Sequence, residues 1–124
     1  MKKILLYTLI FINISYFCFG QGDKKDRIEA IQIAFLTKEL SLTPEEAQKF
    51  WPVYNDYKAE LAQARKASRE DEVEFEEKVL TIKKKYKGEF KKVLGSDERA
   101  NEVYVAEKDF REMLRKELQK RQDN

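Results

Sequence analysis

The chain has 124 residues, with 25 Lys and Arg against 23 Asp and Glu, one cysteine and no histidine. That inventory excludes histidine-based acid-base chemistry, the common zinc sites and any intramolecular disulfide. With 39% of its side chains charged, so short a chain has one modest core at most, and sharing surface with a second copy would relieve the shortage.

Lys2 and Lys3 open the chain, and Ile4 to Phe19 follow without charge, interrupted clearly only by Thr8, Asn13 and Ser15. This is the profile of a secretory signal peptide. Gly20 at −1 and Cys18 at −3 are small enough for a signal peptidase, so residues 1-20 read as the leader, with the cut between Gly20 and Gln21. Residues 21-124 then form a single helical domain in the periplasm. A lipoprotein signal would want a small residue before its cysteine, whereas Cys18 follows Phe17. An uncleaved anchor would need about 20 apolar residues, more than this segment offers. Cleavage removes Lys2, Lys3 and the only cysteine, leaving 23 basic side chains against 23 acidic ones. A nucleic-acid binder carries a basic excess, so nucleic acid is not an expected partner, and the membrane is met only through the leader.

The first segment beyond the leader is apolar at Ile28, Ile31, Ile33, Phe35, Leu36 and Leu40, a broad arc that is expected to be the most buried of all. Leu42-Thr43-Pro44-Glu45-Glu46 then starts a second helix. The Thr43 hydroxyl can accept from the amide of Glu46 while the Glu46 carboxylate reaches back, with Pro44 in the first turn. Phe50, Val53, Tyr54, Tyr57, Leu61 and Ala64 form its stripe. Pro52 removes one intrahelical bond and predicts a kink near Gln48 to Trp51. The turn over Ala67 to Asp71 lacks Gly and Pro, and Ser68 with Asp71 reads as its capping pair.

A third helix follows from Phe75, Val79, Ile82, Tyr86, Phe90 and Val93, at spacings of four, three, four, four and three. Gly95 suits a left-handed C-cap, and Ser96 with Asp97 and Glu98 opens a fourth helix, whose stripe is Val103, Ala106, Phe110, Met113, Leu114 and Leu118. The helix starts repeat: Thr43 to Ala47 and Ser96 to Ala100 lie 53 positions apart, and at that offset Phe50 meets Val103, Trp51 meets Tyr104 and Tyr57 meets Phe110.

No Gly-rich phosphate loop or spaced serine nucleophile is present. The acidic run from Glu70 to Glu77 lacks the ligand spacing of a calcium loop and reads as a solvated helix start. Met113 is the only methionine inside the mature segment. The protein is therefore expected to be no enzyme and to carry no cofactor or metal.

Leu42-Thr43-Pro44-Glu45-Glu46 resembles the LTxxQ signature of the Spy/CpxP family of small periplasmic helical proteins, and Leu94 with Ser96 opens a second, similar copy. The run Leu42 to Tyr57, with Phe50-Trp51-Pro52-Val53-Tyr54, and the tail Ala106 to Arg111 are similar to secreted bacterial proteins known as sensors of ECF-type sigma factors. Glu46 stands where the family has Gln, Gly95 is inserted after Leu94, and Arg99 stands where the second Gln would be. The resemblance implies an all-α fold of two helical hairpins, four helices in an elongated, cradle-like dimer. It also implies an envelope-stress sensor or an ATP-independent chaperone for unfolded clients; a purely structural interaction protein is a further alternative. In either binding role Trp51, Pro52, Tyr54 and Tyr57 are the candidate protein-binding residues, with Trp51 the first candidate for exposure.

Intact-mass measurement of the exported protein should give a chain that starts at Gln21, without acyl groups. Retention of residues 1-20 would overturn the leader assignment.

Overall fold

A computed structural model describes residues 22–123. The leader and its cut site between Gly20 and Gln21 lie outside the described residues. Four helices follow in chain order: α1 (Asp23–Glu39), α2 (Pro44–Ala67), α3 (Glu72–Leu94) and α4 (Asp97–Gln122). Among the described residues there is no strand, and no helix is long and apolar enough to cross a membrane. The chain divides into two compact units between Ile33 and Ala34, inside α1.

Local chemistry sets the helix ends. The Thr43 hydroxyl accepts from the Glu46 amide at 3.1 Å and the Thr43 amide donates to the Glu46 carboxylate at 3.2 Å, a complete capping box with Pro44 in the first turn. At the next turn the expected pairing of Ser68 with Asp71 is not formed. Asp71 alone caps α3, accepting from the Glu74 amide at 2.9 Å, while buried Ser68 ends α2 and its hydroxyl accepts from Lys78 Nζ at 2.9 Å. The carboxylate suits the positive helix start better than a hydroxyl, which frees Ser68 to turn inward. Gly95 closes α3 at φ +92°, its amide donating to the Lys91 carbonyl at 2.7 Å, and Ser96 caps α4 by accepting from the Arg99 amide at 3.1 Å. Helix α2 continues unbroken through exposed Pro52.

The core is aromatic. Phe50, Tyr54 and Tyr57 of α2 meet Tyr86, Phe90 and Leu94 of α3, and Ala100, Val103 and Ala106 of α4 close the third side. Phe90 sits among Phe50, Tyr57 and Tyr104, with ring centroids 5.5, 5.8 and 6.1 Å away. Such pairs contribute about 0.5–1.5 kcal/mol each beyond area burial. Small Ala100 and Ala106 let α4 approach these rings closely.

Helix α1 departs from expectation. Leu36 and Leu40, one turn apart on one face, are buried, and Phe35 packs on Phe110 at 5.5 Å. Ile28, Ile31 and Ile33, however, are 38%, 49% and 43% exposed. The segment expected to be most buried therefore leaves three large apolar side chains showing, because an arc so broad cannot be covered from one side.

Among the described residues two take the left-handed conformation, Gly95 at φ +92° and Ser41 at φ +48°. A Cβ at Gly95 would meet nothing within 4 Å, so substitution there tests backbone strain alone. Gly95→Ala should destabilise the fold by about 1 kcal/mol, and Ser41→Gly should stabilise it by about 0.5 kcal/mol after the extra chain entropy of glycine is offset. Urea unfolding of the two variants measures both signs.

Candidate functional site

Of the motif residues, Glu46 and Leu94 bond to one side chain, that of Arg99 in the first turn of α4, while Ser96 accepts from the Arg99 amide and Thr43 caps through Glu46. Its guanidinium donates to the Glu46 carboxylate through both terminal nitrogens, to the Leu94 carbonyl at 3.1 Å and to the Leu40 carbonyl at 3.0 Å. Leu40 immediately follows α1, Glu46 lies in the first turn of α2, and Leu94 ends α3. One residue thus ties together the ends of all four helices. Carbonyls at helix C-termini have no intrahelical partner and carry negative partial charge, and only a planar group with five donors serves a carboxylate and two such carbonyls at once.

Around this clamp Leu94 is buried, Leu42 packs half-buried against the core, Ser96 is half-buried, and Thr43 and Pro44 are exposed. The hydrogen bond from Arg99, followed by that from the Thr43 amide, holds the Glu46 carboxyl below the usual glutamate range. Its stabilising contribution is therefore complete above about pH 4.3 and is lost as the pH falls through the lower value of the folded state. Two of the three departures from the LTxxQ pattern, Glu46 and Arg99, are each other's partners.

A second polar cluster lies along the same seam. Buried Glu107 of α4 accepts from the Tyr54 hydroxyl at 2.9 Å and from the Tyr57 hydroxyl at 3.2 Å. Removing that carboxylate would strand two hydroxyls at about 1–3 kcal/mol each. Both clusters join positions 53 apart, Glu46 with Arg99 and Tyr54 with Glu107. Contact between equivalent positions is what a local two-fold relation between the repeated halves produces.

The four residues expected to form a binding face are not brought together as one. Tyr54 and Tyr57 are 2% and 0% exposed and belong to the core, which corrects their assignment. Trp51 is half-buried, edge-on to Phe50 and Tyr54 with centroids 4.9 and 5.6 Å away, and Pro52 is exposed. The reason is angular. At about 100° per residue, from 3.6 residues per turn, positions 50, 54 and 57 fall within about 60° of one another, while position 51 lies at the flank. Glu107 then satisfies hydroxyls that would otherwise have kept Tyr54 and Tyr57 near water. Glu107 itself occupies a stripe position, four after Val103 and three before Phe110, and that spacing is the signal by which it was legible.

Tyr86 and Tyr104 are treated alike. The Tyr86 hydroxyl donates to Glu60 at 2.9 Å beside Lys85, whose Nζ lies 2.6 Å from the same oxygen, and the Tyr104 hydroxyl donates to the Lys83 carbonyl at 2.6 Å. The Lys85 and Tyr86 bonds hold the Glu60 carboxyl below its ordinary range. Burial, reinforced by the Glu107 carboxylate, pushes the phenols of Tyr54, Tyr57 and Tyr104 well above their ordinary value; burial and the Glu60 bond push Tyr86 up to about 12.

No protein-family model, curated protein or solved structure matches the chain.

Beyond residue 20 the chain has only these four tyrosines. A phenol whose pKa is raised by folding stabilises the fold fully below the unfolded value, about pH 10, and that contribution is lost as the pH rises through the folded value. Tyrosinate absorbance of the leaderless protein should stay flat near pH 10 and rise only above it, together with loss of helicity. In urea the same tyrosines should titrate near their ordinary value. A native titration at pH 10 that leaves the helix signal intact would contradict the seam described above.

Proposed function

We propose that the protein is a non-enzymatic envelope protein, exported to the periplasm, that binds another protein as a sensor or regulator in an ECF-type sigma factor system. The resemblance of Leu42 to Tyr57 and of Ala106 to Arg111 supports the system. The chemistry of the seam supports binding: Glu46, Arg99, Tyr54 and Tyr57, whose ionisation folding shifts, are spent on holding helices to one another. The observation that carries the reading is the exposure of Ile28, Ile31 and Ile33 on the first turns of α1. Full burial of such a side chain is worth about 1.5–3 kcal/mol, and a partner that covers Ile28 and Ile31, three residues apart on one face, gains the share of it that is still exposed. Those residues replace the Trp51 face as the proposed contact.

A chaperone role is favoured by a different observation. Val73, Leu80, Val105 and Leu118 are also exposed, on α3 and α4, and scattered apolar sites suit many weak clients rather than one partner. In either role the cradle-like dimer implied by the resemblance is the proposed assembly.

Capture from an envelope extract separates the two. Sensing gives one stoichiometric partner, whereas chaperoning gives many substoichiometric ones. Ile31→Glu should abolish capture of the single partner while shifting stability by no more than about 0.5 kcal/mol, as surface substitutions do. Undiminished capture by that variant would remove α1 from the binding site.

A further inference from the structure

Along α4 one apolar line fades from core to surface. Val103, Phe110, Leu114 and Leu118 follow one another at spacings of seven, four and four, so all four share a face. Val103 and Phe110 are 0% and 3% exposed, Leu114 is half-buried, and Leu118 is 54% exposed. The stripe that packs the core thus outruns the neighbours that cover it. Charge changes along the same helix. Asp97 to Glu107 hold four acidic side chains and one basic one, that of Arg99, whereas Lys108 to Gln122 hold six basic and three acidic. At about 100° per residue, Arg111 and Arg115 lie roughly 40° and 80° to one side of the line through Leu114 and Leu118, and Arg121 roughly 40° to the other. All three arginines are exposed, and none forms an ion pair or hydrogen bond among the described residues. Beyond Phe110 the one carboxylate in this arc, that of Glu117, is paired with Lys120 at 3.3 Å.

We propose that this end of α4 lies on an anionic lipid surface, with Leu118 and Leu114 turned toward the acyl boundary and Arg111, Arg115 and Arg121 on the headgroup phosphates. A guanidinium offers a phosphate two parallel N–H donors, and its long stem runs along apolar neighbours while the charged head stays at the polar layer. An apolar line with basic residues on both sides is what lays a helix in the plane of the interface. Crossing the bilayer is not open to α4, because no described helix is long and apolar enough. Two leucines are too few for a protein partner, since a stable protein interface buries roughly 800 Å² per side; a lipid layer accepts a single wedge and attracts each cation brought near it. A second copy fits worse still: an antiparallel pairing about Leu118 sets Arg115 against Arg121, and a parallel one sets each arginine against itself. The proposal departs from the expectation that only the leader meets the membrane, and it does not depend on the partner proposed above, which meets α1.

The leaderless protein should co-sediment with vesicles of phosphatidylcholine and phosphatidylglycerol in equal parts, less so as salt rises, and not with vesicles of phosphatidylcholine alone. Arg115→Glu and Lys116→Glu make the same charge change at neighbouring positions about 100° apart on the helix. Arg115→Glu should weaken binding at least about fivefold, and Lys116→Glu, on the side away from the apolar line, by less than about twofold. Both variants should keep the helix content of the unaltered protein, since neither side chain bonds to another. Leu118→Trp should emit further to the blue once the anionic vesicles are added, whereas the emission of Trp51 in the unaltered protein should not move. Failure to bind the anionic vesicles, equal weakening by the two charge changes, or an unshifted emission of the Leu118→Trp variant would each overturn the proposal. So would vesicles left unbound while an acidic envelope protein, or a second copy of the chain, is lost on Arg115→Glu.

Discussion

Arg99 meets a demand that the backbone itself creates. Four helices begin or end at one place, and each helix end leaves carbonyls or amides without partners. Thr43 and Ser96 deal with the amides. The carbonyls of Leu40 and Leu94, together with the Glu46 carboxylate, are left to one guanidinium. Lysine, a point charge with three donors and no fixed plane, could not reach all of them at once. Register along the bundle follows from that junction: with the starts of α2 and α4 pinned together, Phe50 and Val103, then Tyr54 and Glu107, come level with one another.

Burying a carboxylate beneath two tyrosines is costly unless both of its oxygens are bonded. Glu107 meets the condition, with one hydroxyl on each oxygen. Among the described residues every buried side-chain nitrogen or oxygen has a partner. The outcome is a core that is aromatic and polar at once. Its rings supply area that a chain so rich in charge otherwise lacks, and its hydroxyls can be satisfied in only one helix register.

Inside and outside are therefore built on different logic. The inner seam matches residues of the two repeated halves, and its charges are paired. The outer face of α3 carries charges in blocks of one sign, of which Lys91 pairs with Asp97, with Val73 and Leu80 in line, and the start of α1 shows three isoleucines. Neither surface adds to the core, and both are where free energy remains to be gained by association.

The sequence by itself determined the elements and their ends. The 3.5 to 3.6 residue period of Phe75 to Val93 admits only a helix, and the Thr43 to Glu46 box, Asp71, Gly95 and Ser96 act within four residues of themselves, so their chemistry is visible in the order of the chain. It also held the 53-residue echo, which the Glu46–Arg99 and Tyr54–Glu107 contacts give physical meaning. Tertiary structure alone decided what each stripe faces. Tyr54 and Tyr57 enter the core because Glu107 arrives from about 50 residues away; Ser68 turns inward because Lys78 reaches it; Ile28, Ile31 and Ile33 stay exposed because an apolar arc records what a helix can bury, whereas burial requires a neighbour on that side. Hydrogen-bond satisfaction between distant residues is a property of pairs, and no single segment carries it.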